Sequence, residues 1–256
     1  GKDMPEIIAV ANSKGGVAKT TSCIGLGCAL ADTGKKTLLI DLDHQGNLSD
    51  DLGRGDEDYT ITDLFENPKF DTNDLIYAAL DDGQEVENLF VIPADITLAV
   101  ECRSAERYAH RLEILSDGLK RLKTSFDFII IDCRPAIDLS IENALLIADK
   151  ILIPVDMDKR ATKGISDLLE VVEEIKRTKD FVYSLVYTKV DKRSSKMLAS
   201  VKSTVENSGW PVCKTEIRIS ELYKQATNDD RPSFHYARKD RPAEDYAGLA
   251  HEILEG

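Results

Sequence analysis

Lys19 and Thr20 are the residues whose types and spacing most clearly suggest chemistry, because they close a glycine-containing loop. The run AVANSKGGVAKTT (residues 9–21) follows a short apolar strand pattern and leads into a helical pattern. Gly15 and Gly16 allow backbone N–H groups to approach phosphate oxygens closely. The first turn of the following helix adds free N–H donors and a positive dipole end. The pattern predicts a phosphate-binding loop in which Lys19 neutralises the terminal phosphates of a nucleotide and Thr20 binds Mg²⁺.

Two features distinguish this loop from the common pattern, in which a glycine precedes the lysine. Ala18 stands at that glycine position, and a second lysine, Lys14, begins the loop. The loop resembles KGGxGKT[T/S], the deviant Walker A loop of the ParA/Soj partition ATPases. The resemblance implies that Lys14 and Lys19 are both catalytic, with Lys14 reaching across a nucleotide-sandwich dimer to the other subunit's phosphates. It also implies a nucleotide-binding set of Lys14, Gly15, Gly16, Val17, Ala18, Lys19, Thr20 and Thr21.

Ala18 is the departure within this loop. Its methyl group is expected to crowd the phosphate or to require a φ angle that alanine disfavours. We expect either effect to lower the affinity for nucleotide and the rate of turnover, but not to prevent nucleotide binding. A nucleotide-binding regulator with little turnover is therefore one open alternative.

Two carboxylates, Asp41 and Asp43, end the second strand pattern. Residues two apart share a strand face unless the chain bends. The segment 41–47 (DLDHQGN) resembles the D-x-D-P-Q-G-N segment of the same family, with His44 at the proline position. The resemblance implies that Asp43 is catalytic and orients the water that attacks the γ-phosphate, and that Asp41 supports the Mg²⁺ shell. The alternative is that this strand-end pair only forms a turn.

Asp132 ends a nearly continuous apolar strand pattern over 126–132 (FDFIIID), as expected for a parallel strand that is buried on both faces. This is the Walker B pattern, which predicts that Asp132 binds Mg²⁺ through water. Relatives usually continue with a small residue and a proline pair, whereas this chain continues with Cys133, Arg134 and Pro135. Arg134 either contacts phosphate or faces solvent.

A possible base-reading segment follows a later strand. Thr188, Lys189, Val190 and Asp191 match the TKxD motif of related GTPases, in which the aspartate reads the guanine edge. The resemblance of the whole chain to ParA-like proteins favours adenine instead. It implies that the same strand end, with Thr188 and Asp191, flanks the base together with the region around Ile217.

Basic residues collect in the C-terminal half of the chain. In ParA/Soj relatives, basic residues of this half bind DNA non-specifically across the dimer, with an affinity that is expected to fall with salt. The I-P-R-N segment of the family is absent, since the chain reads IRIS at 217–220. Individual lysines on exposed helices usually serve solubility alone. The DNA-binding prediction covers Lys189, Lys192, Arg193, Lys196, Arg218 and Lys224.

Composition favours one domain over 1–256, and we interpret Gly1, Lys2 and Asp3, which precede Met4, as a cloning remnant. The chain has 256 residues and 42% hydrophobic content, enough for a substantial core. Strand patterns alternate with helical patterns, which predicts a doubly wound α/β fold with a mostly parallel sheet and ligands at the carboxyl ends of the strands. Helical patterns are expected over 73–80, 104–123, 220–227 and 243–254, and a strand over 212–217.

Net charge and cysteine content indicate which partners and which cellular compartment suit the protein. The net charge of −13 argues against a surface that wraps nucleic acid throughout, but not against a local basic face. Five cysteines without a close pair suit a reducing cytoplasm. No apolar run approaches the roughly 20 residues of a membrane span, and no signal peptide is recognisable.

The resemblance implies an ATP-dependent dimer that binds nucleoid DNA in the cytoplasm and segregates a DNA cargo. Its expected partner is a centromere-binding ParB-like adaptor that stimulates hydrolysis. Positioning of a protein assembly is an alternative. A MinD-like membrane cycle needs a basic terminal helix, yet residues 245–256 contain no Lys or Arg. An iron–sulfur protein like the nitrogenase iron protein would need Cys102 and Cys133 near the dimer axis.

Overall fold

The computed structural model describes residues 4–12, 17–221 and 241–256, and gives only the backbone of Val17 and Ala18. Its strands are β1 (Glu6–Val10), β2 (Thr37–Asp41), β3 (Tyr77–Asp81), β4 (Gln84–Ile92), β5 (Phe128–Asp132), β6 (Lys150–Asp156) and β7 (Val182–Thr188). They form one sheet in the order β3-β4-β2-β5-β1-β6-β7. Every neighbouring pair except β3–β4 is parallel.

Helices cover both faces of this sheet. The α-helices of the described residues are α1 (Val17–Asp32), α2 (Asn47–Asp51), α3 (Ile61–Glu66), α4 (Leu98–Ala105), α5 (Ile114–Lys120), α6 (Leu139–Ile147), α7 (Ile165–Lys176), α8 (Ser195–Ser208) and α9 (Arg241–Glu255). Along β5, Ile129 and Ile131 point into one hydrophobic core and Ile130 into the other, as alternation along a strand requires. The predicted doubly wound α/β fold is confirmed, whereas the assignment of 1–256 to a single domain stays a prediction.

The helical pattern predicted over 73–80 is wrong. A 3-10 turn over Thr72–Leu75 leads into β3, which pairs antiparallel with β4. Asp82 and Gly83 join the two strands with φ angles of 52° and 81°, the positive values that a tight hairpin turn demands. The Asp-Gly pair in the sequence was the signal for this hairpin.

The single helix predicted over 104–123 is also wrong. The chain forms α4, a 3-10 turn over Arg111–Glu113, and α5. Cys102 and Ala105 of α4 enter the same core as Ile114 and Leu115 of α5, so the apolar periodicity continues although the helix does not.

The strand predicted over 212–217 is not a regular strand. It contacts the β7 side of the sheet through two isolated parallel bridges, Leu185 with Val212 and Val190 with Arg218. Most of the helix predicted over 220–227 lies outside the described residues. The final helical prediction is confirmed by α9.

Helix α9 packs against α1, and Tyr246 is the contact that defines this packing. The Tyr246 ring is buried, and a Cβ atom placed on Gly25 would lie only 2.2 Å from its Cδ2 atom. The Tyr246 hydroxyl lies 3.3 Å from Ser22 Oγ. None of the described helices has the length and hydropathy that spanning a bilayer requires.

Candidate active site

The predicted site residues converge where β1, β2 and β5 end. Asp41 and Asp132 are register partners at the carboxyl ends of β2 and β5, and Asp132 is also paired with Val10 of β1. Both aspartates are fully buried. Val10 leads into the phosphate-binding loop, so this loop begins beside the two carboxylates. The carboxyl end of a parallel sheet is where such folds bind ligands.

Asp132 contacts Lys19 and Thr20, the two candidate functional side chains in the first turn of α1. The Lys19 Nζ atom lies 3.1 Å from Asp132 Oδ1, and Thr20 Oγ1 donates a hydrogen bond of 2.9 Å to Oδ2. Lys19 is only 3% exposed. Burial disfavours its charged form, but the adjacent Asp132 carboxylate outweighs burial and raises the Lys19 pKa. Lys19 is therefore a cation held in place at the loop.

The residues at this edge fit a hydrated Mg²⁺ ion. Thr20 supplies a hydroxyl and Asp132 a carboxylate. Asp132 Oδ1 is buried and makes no hydrogen bond among the described residues, although the Lys19 ammonium lies 3.1 Å from it. The described residues contain no group of three or more His, Cys, Asp or Glu side chains suited to a metal. Mg²⁺ commonly uses one or two protein ligands plus phosphates and waters, so Thr20 and Asp132 are sufficient. When bound, Mg²⁺ neutralises charge on the phosphate oxygens.

Asp41 connects three segments of the chain. Its Oδ2 atom accepts hydrogen bonds from the Ser49 backbone N–H at 3.0 Å and from Ser49 Oγ at 2.6 Å. Its Oδ1 atom accepts the Asp43 N–H at 2.9 Å, and Ser49 Oγ in turn accepts the Ala94 N–H. Burial, and then the charge of Asp132, raise the pKa of Asp41 to about 7. These contacts give Asp41 a structural role, and its support of the Mg²⁺ shell stays a prediction.

Asp43 lies beyond the end of β2, because the chain bends after Asp41. Its Oδ1 atom accepts the Gln45 N–H at 3.0 Å, and its carbonyl accepts the Gly46 N–H, so the segment forms a tight turn. The side chain is 19% exposed. Among the residues that the structure describes, none donates a hydrogen bond to Oδ2. An oxygen of Asp43 is thus available to orient a water molecule at the same edge as Lys19.

The remaining loop residues are only partly described. Lys14, Gly15 and Gly16 lie outside the described residues, as does Lys224 in the predicted basic set. Val17 and Ala18 form the first residues of α1, and Thr21 is partly buried in the same helix. Because the Ala18 backbone is helical, alanine there needs no φ angle that it disfavours.

The predicted base-binding residues already have partners in the protein. Thr188 Oγ1 donates a 2.6 Å hydrogen bond to Asp156, and the Lys189 ammonium lies 3.5 Å from the same carboxylate. Asp191 accepts hydrogen bonds from the backbone and the side chain of Arg193. The Asp191 carboxylate that would read guanine therefore binds Arg193.

The predicted basic cluster divides into paired and exposed members. Arg218 contacts Asp245 at 3.1 Å and Glu244 at 3.2 Å, so its charge is compensated within the protein. Lys192 and Lys196 are exposed, and the described part of the chain gives neither an ion pair. Sequence reasoning missed Ser49 and Asp245. Their signals in the sequence are weak, because one is only a serine after the carboxylate segment and the other an acidic residue on the last helix.

Cys102 and Cys133, the two candidate ligands of an iron–sulfur cluster, lie in the protein interior. All five are buried free thiols, including Cys102 and Cys133. Burial raises the pKa of the Cys102 thiol to about 12 and also raises that of Cys133, which disfavours the thiolates that ligate iron.

Known proteins are similar to this chain over nearly its whole length. A family model described as an AAA domain matches residues 5–183. The sporulation initiation inhibitor protein Soj of Bacillus subtilis is 34% identical over 256 residues, which cover 98% of each chain. The chromosome-partitioning ATPase Soj of Treponema pallidum is 33% identical with the same coverage.

Solved structures agree in fold. The cobyrinic acid a,c-diamide synthase of Mycobacterium smegmatis with bound ADP and magnesium superposes with a TM-score of 0.83 at 26% identity, covering 98% of this chain and 95% of that one. The ATP complex of a Cyanothece McdA variant has a TM-score of 0.77 at 24% identity, covering 100% of this chain and 98% of that one.

The fold and the Lys19–Thr20–Asp132 site define a P-loop nucleotide hydrolase. The near full-length relatives make the assignment more specific. The chain belongs to the ParA/MinD family. It is an ATPase, and its cofactors are ATP and Mg²⁺.

Proposed function

We propose that this ATPase is a dimerising switch that binds DNA non-specifically when it holds ATP and thereby segregates a DNA cargo. A ParB-like adaptor stimulates hydrolysis, which is otherwise slow, and the protein works on the nucleoid in the cytoplasm. The observation that carries this proposal is the position of Asp43, two residues beyond Asp41 at the end of β2. The register partner of Asp41 at the end of β5 is Asp132, the carboxylate that contacts Lys19. Its carboxylate can orient the attacking water beside the site that neutralises the phosphates.

The proposed ATP-dependent switch depends on the positions of the loops after β2 and β5. The loops after β2 and β5 begin beside each other at Asp41 and Asp132. A γ-phosphate bound at Lys19 contacts both loops and orders them, and hydrolysis releases them. In the dimer, Lys14 reaches the phosphates of the other subunit. Asp41 orders the loop after β2 by accepting hydrogen bonds from the Asp43 and Ser49 N–H groups.

The exposed lysines that follow β7 are the proposed core of the DNA surface. Lys192 is exposed in the 3-10 turn Lys192–Ser194, Lys196 is exposed in the first turn of α8, and neither makes an ion pair among the described residues. Arg193 is exposed beside them, although it also contacts Asp191. A local cationic site on a chain of net charge −13 binds phosphates weakly in one copy. Dimerisation doubles the site and makes binding depend on ATP.

A membrane cycle is disfavoured by the packing of α9. Its apolar residues, Tyr246, Leu249, Ala250 and Ile253, are buried in the core that α1 also enters. A helix that inserts into lipid needs such a face to be free.

The DNA proposal is tested by binding to non-specific duplex with ATP, ADP, GTP or no nucleotide, at two salt concentrations. Binding with ATP alone that weakens with salt supports it. The variant K192E/K196E should lose at least tenfold in affinity. The matched control is K69E/K179E, which makes the same charge change at two other exposed lysines. Lys179 precedes the amino end of β7, whereas Lys192 follows its carboxyl end.

The outcomes separate the alternatives. ATP-dependent dimerisation without DNA binding would contradict the DNA cargo and favour positioning of a protein assembly. An equal loss in the two charge variants would contradict the surface after β7 and indicate a general charge effect.

The role of Asp43 is tested separately. Asp43→Ala should reduce ATP turnover at least 100-fold yet retain ATP-dependent dimerisation measured by sedimentation. Asp180→Ala, which removes an exposed carboxylate, is the control and should hydrolyse ATP normally. Equally slow turnover in Asp43→Ala and the parent would favour a regulator with little hydrolysis.

A further inference from the structure

His44 and Arg134 lie 90 residues apart in two different loops, yet they are in contact. One terminal nitrogen of the Arg134 guanidinium lies 2.6 Å from His44 Nδ1. His44 follows Asp43 in the loop after β2, and Arg134 is the second residue after Asp132 in the loop after β5. Both side chains are largely buried, with exposed fractions of 28% for His44 and 18% for Arg134. This contact joins the two loops that begin at the active-site carboxylates.

The chemistry of the contact fixes the state of the histidine. A guanidinium only donates hydrogen bonds and does not lose its charge. His44 Nδ1 must therefore be the acceptor, so the imidazole is neutral and carries its proton on Nε2. The Gln45 side-chain amide lies 3.1 Å from this Nε2 atom.

Arg134 is itself held by its own loop. Its Nε atom lies 3.9 Å from Asp138 Oδ2, and Asp138 caps the start of α6 by accepting the Ile141 N–H. The Nε atom is buried and makes no hydrogen bond among the described residues. The guanidinium is thus oriented by His44 at one end and by the charge of Asp138 at the other.

The contact acts on Asp43 through the adjacent backbone. His44 Nδ1 lies 3.9 Å from Asp43 Oδ1, beyond hydrogen-bond distance, so the peptide bond between the two residues makes the link. The Asp43 N–H is bound by Asp41. Two contacts therefore restrain the position of Asp43. Asp41 binds its N–H at the end of β2, and Arg134 holds the adjacent His44. Without Arg134 the turn that carries Asp43 keeps only its local hydrogen bonds.

We propose that Arg134 is a positioning residue that, through His44, fastens the loop carrying Asp43 to the loop after β5. It sets the direction in which the Asp43 carboxylate faces the terminal phosphate of ATP, and it makes the two loops move together. The inference rests on the proposed role of Asp43 in hydrolysis.

The test is a double-mutant cycle on steady-state ATP hydrolysis. Arg134→Ala and His44→Ala should each lower kcat about tenfold, with KM for ATP and the affinity for a fluorescent ATP analogue within twofold of the parent. The double variant should lose no more than either single variant, because each substitution breaks the same contact. Arg103→Ala, which removes an exposed arginine of α4, is the control and should leave kcat unchanged.

Conservative variants separate positioning from general damage. His44→Asn keeps an acceptor oxygen close to the position of Nδ1 and should retain most of kcat. His44→Gln carries its acceptor at the Nε2 position and should behave like His44→Ala. Multiplying losses in the double variant, a raised KM with unchanged kcat, or unchanged kcat in all variants would overturn the proposal.

The failure of this inference is distinguishable from failure of the proposed function. If Asp43→Ala hydrolyses ATP normally, the role of Asp43 is wrong and this inference falls with it. If Asp43→Ala is inactive while Arg134→Ala and His44→Ala act independently, only the link between the loops is wrong.

Discussion

The Lys19 ammonium lies 3.1 Å from Asp132 Oδ1, so the cation predicted to bind phosphate and the carboxylate predicted to bind Mg²⁺ neutralise each other at one buried point. The pair is made between the start of α1 and the end of β5. It keeps both charges in place where little water reaches them, since both residues are almost fully buried. Mg²⁺ and the phosphates of ATP must share these two groups.

The first prediction concerns this pair. Lys19→Met or Asp132→Asn should each lower the free energy of unfolding by about 3 kcal/mol, because each leaves a buried charge without its partner. The double variant should lie closer to the parent than either single variant. Urea denaturation without nucleotide measures this, and strictly additive losses would contradict it.

The second prediction concerns Thr20 and the metal. Thr20→Val removes the hydroxyl that contacts Asp132 with little change of volume, and it should reduce Mg²⁺-dependent ATP turnover at least 100-fold. Thr20→Ser, which keeps the hydroxyl, should stay within a few fold. Chelation of Mg²⁺ should abolish turnover in the parent. Full activity of Thr20→Val at limiting Mg²⁺ would refute the assignment.

The third prediction concerns Gly25 and Tyr246. Gly25→Ala gains about 1 kcal/mol of helix propensity, but its Cβ atom would lie 2.2 Å from the buried Tyr246 ring. We expect a net loss of about 2 kcal/mol in unfolding free energy. In the Tyr246→Ala background the same change should stabilise by about 0.5–1 kcal/mol, because the ring is gone.

Gly248→Ala is the matched control for this prediction, since its Cβ atom would meet Thr215 at an ordinary 3.5 Å. It should stabilise the parent by about 0.5–1 kcal/mol. A loss from Gly25→Ala that is the same in both backgrounds would show that Tyr246 is not its cause.

The fourth prediction is a pH dependence. Asp95 accepts hydrogen bonds from Thr60, Thr62 and Thr97. Burial alone would raise its pKa, but these bonds outweigh burial and lower it. A lowered folded pKa stabilises the fold above the unfolded value of about 4 and loses this effect as pH falls through the folded value.

Asp95→Asn should therefore cost about 1–2 kcal/mol at pH 7, and less as the pH falls from about 4 towards 2. Urea midpoints across pH measure the difference. Asp180→Asn, at an exposed site, should change stability by less than about 0.5 kcal/mol at each pH. A cost of Asp95→Asn that grows at low pH would reverse the assigned sign.

Much of the fold and the centre of the site could be predicted from local patterns. The apolar run ending at Asp132 and the strand–loop–helix around Lys19 each specify a structure within a few residues, because burial on both faces and backbone access to phosphate restrict the residue types. The β3–β4 hairpin and the break between α4 and α5 were missed. The hairpin had a local signal in the Asp82-Gly83 turn, which the helix-compatible apolar spacing obscured. At the break between α4 and α5 the apolar spacing continues, and tertiary packing decided where the helices end.

The sequence by itself indicated the candidate groups for the chemistry, which are Lys19 and Thr20 in the loop and Asp41, Asp43 and Asp132 at or near strand ends. Only the tertiary structure decided how they divide the work. Asp41 and Asp43 look alike in the sequence as two carboxylates that end one strand pattern. In the structure, burial and the contacts with Ser49 give Asp41 a structural role, whereas the bend after Asp41 leaves the Asp43 side chain 19% exposed. The contact between His44 and Arg134 joins residues 90 apart. Such contacts depend on which strands become neighbours in the sheet, and no local pattern encodes that order.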